Sequence, residues 1–358
     1  MNRAHNFSAG PAVLPVSVIE QLRDALPNFQ NTGLGLMEMS HRSSTFDAVH
    51  RSAESRLRTI LSVPDDHHVL FLQGGASLQF HMTAINLLSS GEFADFVVTG
   101  TWAQKGLAEA KRVREGRAVW DGEEQRFDRL PSSVSVDPQA TYLHYTTNNT
   151  IYGTQFQSPP TQTDVPLVAD MSSDICSRPI DVKRHALIYA GAQKNLGPSG
   201  VTAVILSPWA LDKSPGTLNP MLDYRTQVAK RGLFNTPNTF GIYALERVLA
   251  WIEDQGGLEQ MAVRNDAKAS ALYTEIDRTG FWSGHAVPTS RSQMNVTFRS
   301  PSPEIDQRFV ARAEENGLKG LKGHRSVGGL RASIYNACEP ESVDALVSFM
   351  QEFERTDG

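Results

Sequence analysis

The sequence predicts an α/β protein: a large domain with a mostly parallel sheet flanked by helices, and a smaller α/β domain at the C-terminal end. Three observations predict it. Short apolar, β-branched runs recur at 69–72, 96–99, 142–145, 167–169, 187–189 and 201–206, and read as buried strands. Segments between them carry apolar residues at helical spacing, as at Phe46, Val49, Ala53, Leu57, Ile60 and Leu61, and at Leu78, Met82, Ile85 and Leu88. Strands alternating with helices in this way form parallel sheets covered on both faces. The third observation is a change of texture after Gly256-Gly257, a helix-stop pair.

Each part of the tail has its own signal. The spacing predicts a long helix over 240–255, a second to about 278, a strand over 294–298, a helix over 304–316, a strand over 331–335 and a last helix near 342–353. The expected division is therefore a large domain at 16–257 and a small one at 258–358, joined by the N-terminal segment 1–15. A chain of 358 residues exceeds what one small core serves, which favours this division.

Composition narrows the function. A net charge of -5, from 34 basic and 39 acidic residues, argues against nucleic acid or a membrane surface as partner. The segment 1–7 lacks the apolar core of a signal peptide, and no apolar run is long enough to span a bilayer. Two cysteines, Cys176 and Cys338, provide neither a disulfide framework nor zinc spacing. These features lead to an expected cytoplasmic location.

Four segments carry chemistry. In 187–200 a strand runs into Lys194 among small residues, followed by a Gly/Pro turn. A lysine so held can form a Schiff base with a carbonyl compound, although a solvated loop lysine has the same local pattern. At 165–173 an apolar strand ends in Asp170, where ligands of open α/β sheets bind; a helix N-cap is the plainer alternative. At 70–80 a strand ends in Gly74-Gly75-Ala76-Ser77 and opens a helix whose free N–H groups suit a phosphate, or the glycines simply make a tight turn. Trp102, just past another strand, could stack on a flat ring or pack as an ordinary core residue. Phosphate cradle, stacking aromatic, acid and amine all fall at predicted strand ends.

From Ala190 to Asn195 the chain closely resembles the phosphoserine aminotransferase family of class V aminotransferases, with its fold-type I architecture. The likeness also shows from Asn6 to Pro15, at Met37-Glu38-Met39-Ser40-His41-Arg42, at Phe234-Asn235-Thr236-Pro237 and from Leu321 to Asn336. The resemblance implies pyridoxal 5'-phosphate (PLP) as cofactor, bound in the large domain. Lys194 would then hold it covalently, with Gln193 beside it, Asp170 on its ring nitrogen and Trp102 on its face. Ala76, Ser77 and Thr150 would bind it further, and Asn235 and Thr236 would reach the cofactor phosphate of a neighbouring subunit in a homodimer. His41, Arg42, His324, Arg325 and Arg331 would handle the acidic groups of substrate. Some relatives carry arginine where this chain has Ser77, so anion binding here leans on the other basic residues.

The implied reaction moves an amino group between L-glutamate and 3-phosphohydroxypyruvate, giving phosphoserine and 2-oxoglutarate in serine biosynthesis. 4-Phosphohydroxythreonine in pyridoxine biosynthesis is a second candidate substrate. Both natural acids carry two anionic groups, which two His-Arg pairs and Arg331 would neutralise. The rival readings are a serine–glyoxylate type aminotransferase, a cysteine desulfurase and a non-catalytic relative. Neither cysteine sits in a mobile Gly/Ser loop, which disfavours the desulfurase. No metal site is expected, since the ten histidines show no His-x-x-x-His pair on a plausible helix.

Overall fold

The computed structural model describes residues 3–357, so residues 1, 2 and 358 of the expected domains lie outside the description. The chain opens with β1 (His5–Asn6), α1 (Val16–Ala25) and α2 (Ser44–Leu61). It continues through β2 (His68–Leu72), α3 (Gly75–Leu87), β3 (Phe93–Val98), α4 (Thr101–Val113), β4 (Glu115–Asp121), β5 (Leu143–Thr146), β6 (Leu167–Asp170), β7 (His185–Gly191) and β8 (Thr202–Leu206). Then come α5 (Pro208–Lys213), α6 (Tyr224–Ala229), α7 (Thr239–Asp254) and α8 (Gly257–Ile276). The tail comprises β9 (Ser283–Gly284), β10 (Asn295–Arg299), α9 (Pro303–Glu315), β11 (Leu318–Lys319), β12 (Leu330–Ser333) and α10 (Pro340–Asp357).

Seven strands form the main sheet in the order β2-β8-β7-β6-β5-β3-β4. Its pairs are parallel except those made by β8, which runs antiparallel to both β7 and β2. Alternate residues of the strands feed two cores. Val69, Phe71, Ile188 and Ile205 face one, with α1, α2 and α7, while Leu70, Leu72, Leu187 and Val204 face the other, with α3 to α6. Burial on both faces is why these strands read as continuous apolar runs.

Three details depart from the expectations. The strand expected at 96–99 begins earlier, at Phe93, because Ala94 and Asp95 already pair with neighbouring strands. β4 went unpredicted: it is a sheet-edge strand whose Glu115, Arg117 and Asp121 are exposed, so it lacks an apolar run. The stretch before His41, which reads as strand-like, is a 3₁₀ turn at Leu36–Glu38.

The tail builds a third core, in which Trp282, Phe298, Phe309 and Phe353 stack edge to face beside Phe7. Its strands are antiparallel, in the order β12-β10-β9, rather than a simple βαβα run. β1 pairs in parallel with β11, which ties the start of the chain to this core. No helix among the described residues is long and apolar enough to cross a membrane.

Candidate active site

The carboxyl ends of β3, β5, β6 and β7 lie side by side, and the turns leaving them meet at one cavity of about 130 Å³. Ala76, Ser77, Trp102, Thr150, Asp170, Gln193 and Lys194 all line it. Seven of the residues singled out in the sequence, spread over 119 positions, are therefore neighbours in space.

Lys194 stands in the tight turn between β7 and β8, where the Ala192 carbonyl accepts from the N–H groups of Leu196 (3.1 Å) and Gly197 (2.9 Å). Gln193 binds the N-terminal segment through the Ala12 N–H (2.9 Å). A Cβ added to Gly10, at φ +150, would sit 3.7 Å from both the Gln193 and Lys194 side chains, so that segment lies directly over the lysine. The Lys194 ammonium donates to the Thr150 hydroxyl at 2.6 Å. Burial, aided by the nearby Arg331 guanidinium, pushes Lys194 down to about 8, while Asp170 and Asp174 oppose the shift.

Asp170 ends β6 and is 4% exposed. Its Oδ1 accepts from the Ser172 N–H at 2.9 Å, so it caps a turn; no helix follows it. Burial raises its carboxyl above the usual range, and the Ser172 hydrogen bonds and Lys194 work against that. Ser172 also accepts from the Gly191 N–H (3.1 Å), linking the acid to the strand that leads to the lysine.

One wall of the cavity is the start of α3, with Gly75, Ala76 and Ser77. Gly74 (φ +91) and Gly75 (φ +65) take left-handed conformations that turn the chain from β2 into the helix, leaving first-turn N–H groups facing the cavity. Trp102 occupies the first turn of α4, and its buried indole N–H has no partner among the described residues. Gly100 permits this turn: a Cβ there would come within 2.7 Å of Asn149 and 2.9 Å of the Tyr152 ring.

The other expected residues are placed differently. Arg331, on β12, reaches the Thr150 carbonyl (3.1 Å) and lies near Lys194 without lining the cavity. His324 and Arg325 are in the loop before β12, where His324 bonds the Ser326 hydroxyl (2.7 Å). Burial and the charges of Arg331, Arg325 and Lys105 push His324 down. His41 and Arg42, in the turn before α2, are not on the cavity wall. Nor are Asn235 and Thr236; the Thr236 carbonyl instead accepts from Gln73, at the entrance to α3 (3.0 Å).

The cavity also holds residues that sequence reasoning passed over. Thr146 and Asn148 line it, and Asn148 donates to Ser173 and to Asn295 of β10 (2.8 Å each). Their signal was the polar stretch Thr146-Thr147-Asn148-Asn149 straight after a buried strand. Lys105 places its ammonium 4.5 Å from the centre of the Trp102 ring; one helical turn from a candidate stacking residue, it had a readable position.

The family model of class V aminotransferases matches residues 4–346. A phosphoserine aminotransferase of Geobacillus kaustophilus is 53% identical over 358 residues, covering 99% of each chain. The solved structure of phosphoserine aminotransferase from Bacillus circulans subsp. alkalophilus superposes with a TM-score of 0.97 at 49% identity, again covering 99% of each chain. A PLP-bound phosphoserine aminotransferase from Trichomonas vaginalis superposes with a TM-score of 0.91 at 37% identity, covering 98% of this chain and all of the other. The chain belongs to the class V aminotransferase family.

Proposed function

We propose that this enzyme is a phosphoserine aminotransferase, transferring the amino group of L-glutamate to 3-phosphohydroxypyruvate with PLP as cofactor. The observation that carries the reading is the single cavity in which Lys194, pushed down to about 8, faces the buried acid Asp170 beside Trp102 and the N-terminus of α3. The full-length likeness to enzymes of that name supports the substrate.

These residues fit the cofactor. The free N–H groups at Gly75, Ala76 and Ser77 suit its phosphate, and Trp102 offers a ring face and an unpartnered N–H. The Asp170 carboxylate suits a protonated ring nitrogen, whose charge would offset the burial that raises the acid. Lys194 would hold the cofactor's carbonyl carbon, with Gln193 and Thr150 alongside. When bound, PLP supplies an electron sink for the charge left at the substrate's α-carbon.

The chain's own residues do the rest. Lys194, as a free amine, would take the substrate's α-proton on Nζ as base and then give a proton back as acid. A value near 8 leaves about a tenth of the amine neutral at pH 7, enough for it to act as a base. Arg331, Arg325 and Lys105 would supply positive charge near the cavity for a doubly anionic substrate, and His324, pushed down by burial and those same charges, would serve as a neutral hydrogen-bonding ring. His41, Arg42, Asn235 and Thr236 are assigned to the site of a second subunit, since none of them reaches this cavity; the enzyme then works as a homodimer. Residues 16–257 would form the PLP-binding domain, and 258–358 with 1–15 the small domain. The separate third core and the β1–β11 pairing support that division. A cytoplasmic location and, as a second substrate, 4-phosphohydroxythreonine belong to the same reading.

The test is the visible absorption of the purified protein with PLP. The expected result is a yellow band that bleaches with phosphoserine and with glutamate but not with alanine. A band that ignores phosphoserine and answers another amino acid would transfer the enzyme to a different substrate.

A further inference from the structure

We propose that Arg231 is a positioning residue that locks together the two loops carrying His41, Arg42, Asn235 and Thr236, and that it serves the active site of the second subunit rather than its own. The inference rests on the assignment of those four residues to a second subunit's site.

Arg231 stands in the loop between α6 and α7, shortly before Asn235, and its guanidinium crosses to α2. Nη1 donates to the Asp47 carboxylate at 2.9 Å. Nη2 donates to His50 Nδ1 at 3.2 Å, with a Glu54 oxygen 3.9 Å from the same nitrogen. Burial and the arginine's charge push His50 down to about 4, so at neutral pH its Nδ1 is free to accept. Asp47 carries the hold to the other loop: its N–H donates to the Ser43 carbonyl at 2.9 Å, next to Arg42. That turn is closed by the Ser43 N–H on the Ser40 carbonyl (3.0 Å) and by the Arg42 N–H on the Ser40 hydroxyl (3.2 Å). On the other side, the chain runs from Arg231 to Thr236, whose carbonyl is pinned by Gln73. One ion pair thus joins the two segments assigned to the second subunit.

Two observations separate positioning from plain stabilisation. Asp47 is also paired with Arg51 (2.6 Å), and the Arg231 and Asp47 side chains are 36% and 39% exposed. Solvent therefore screens the pair, and its worth to stability is small. Yet Arg231 holds φ +54, a left-handed conformation that glycine or asparagine takes more readily. A strained backbone kept for an ion pair that adds little stability points to geometry as its purpose. That geometry has somewhere to act. Met37 and Phe234, on the same two segments, are exposed, an apolar surface of the kind that a second copy of the chain covers.

The experiment combines differently tagged chains and reads PLP affinity from the yellow band. Arg231→Gln removes the guanidinium. Its homodimer should bind PLP about five- to twentyfold more weakly, with a similar rise in the KM for phosphoserine. The deciding form is a hybrid of one Arg231→Gln chain with one Lys194→Ala chain. Only the Arg231→Gln chain can form the band there, and its site receives the partner's loops, in which the ion pair is intact. Wild-type PLP affinity in this hybrid supports the inference. The weak affinity of the Arg231→Gln homodimer would overturn it, since Arg231 would then serve its own subunit. In the converse hybrid, wild type with a chain carrying both substitutions, weak binding supports the inference and normal binding overturns it. An Arg231→Gln homodimer with unmoved affinity and KM overturns it too. If Arg231→Gln fails to fold, Asp47→Asn breaks the same pair from α2 and is read in the same hybrids. A wild-type protein that forms its band as a monomer overturns the second-subunit assignment together with this inference, whereas a wild-type dimer with unmoved variants overturns this inference alone.

Discussion

Burial pushes two lysines of this protein, the half-buried Lys194 and the fully buried Lys268, down to about 8, yet their surroundings give them opposite roles. Lys194 donates to one hydroxyl, that of Thr150, and borders a cavity. Lys268, on α8, donates to the carbonyls of Ile334 (2.9 Å), Tyr335 (2.7 Å) and Cys338 (3.1 Å). Three donors on three acceptors leave that ammonium nothing to offer a ligand. It fastens α8 to the turn after β12, the turn that also carries Asn336 to Asn195 (3.1 Å), next to Lys194. A depressed lysine pKa alone does not mark a reacting group; unspent donors facing a cavity do.

The comparison breaks most sharply at Lys194 itself. Lys194→Ala loses both the covalent hold on PLP and the proton carrier, and turnover should fall by at least about 10⁴-fold with the fold intact. Stopped-flow and steady-state assays check this, and near-normal turnover would remove Lys194 from the mechanism. Asp170→Ala comes next. It should leave some cofactor bound while slowing α-proton removal by about 10²- to 10³-fold, read from single-turnover kinetics with α-deuterated glutamate. If only PLP affinity changed, Asp170 would be no more than the cap that its bond to Ser172 already makes it.

Lys268 supplies the contrast. Lys268→Met should leave kcat within about threefold of wild type, because no reacting atom is touched. It orphans three buried carbonyls, and denaturant unfolding should show a loss of about 2–4 kcal/mol. A large fall in kcat with unchanged stability would reverse the two roles.

The sequence carried one side of this comparison and not the other. Lys194 was legible because its chemistry needs small neighbours and a strand end, and both are local. Asp170 and Trp102 were legible for the same reason, and the strand-end rule brought all three into one cavity. Lys268 sits at an unmarked position of a helix, and its three partners lie at least 66 residues away, so no local pattern announces it. Arg331 shares that difficulty: its place near Lys194 depends on how β12 packs, which residue spacing does not encode. The antiparallel course of β8 was hidden because a buried run reads alike in either direction. β4 was hidden because an edge strand needs no apolar run.

A finer contrast separates the two lysines by pH. In the PLP-free enzyme, a small acylating reagent attacks only neutral amine. The Lys194 value of about 8 lies below the ordinary 10.5, so its neutral fraction climbs through pH 8 and levels off above. Between pH 6 and 7 its labelling rate should therefore rise nearly tenfold, with a plateau by about pH 9. Lys268 has a comparable depression from burial, but its three carbonyls favour the ammonium and the packed turn bars the reagent. Its labelling should stay at background across the same range and appear only on unfolding. Mass spectrometry of the labelled peptides separates the two. Parallel curves would mean that the turn after β12 opens in solution, and the distinction drawn from spent and unspent donors would fail; a flat Lys268 beside a rising Lys194 would place the difference in access and partners rather than in proton affinity.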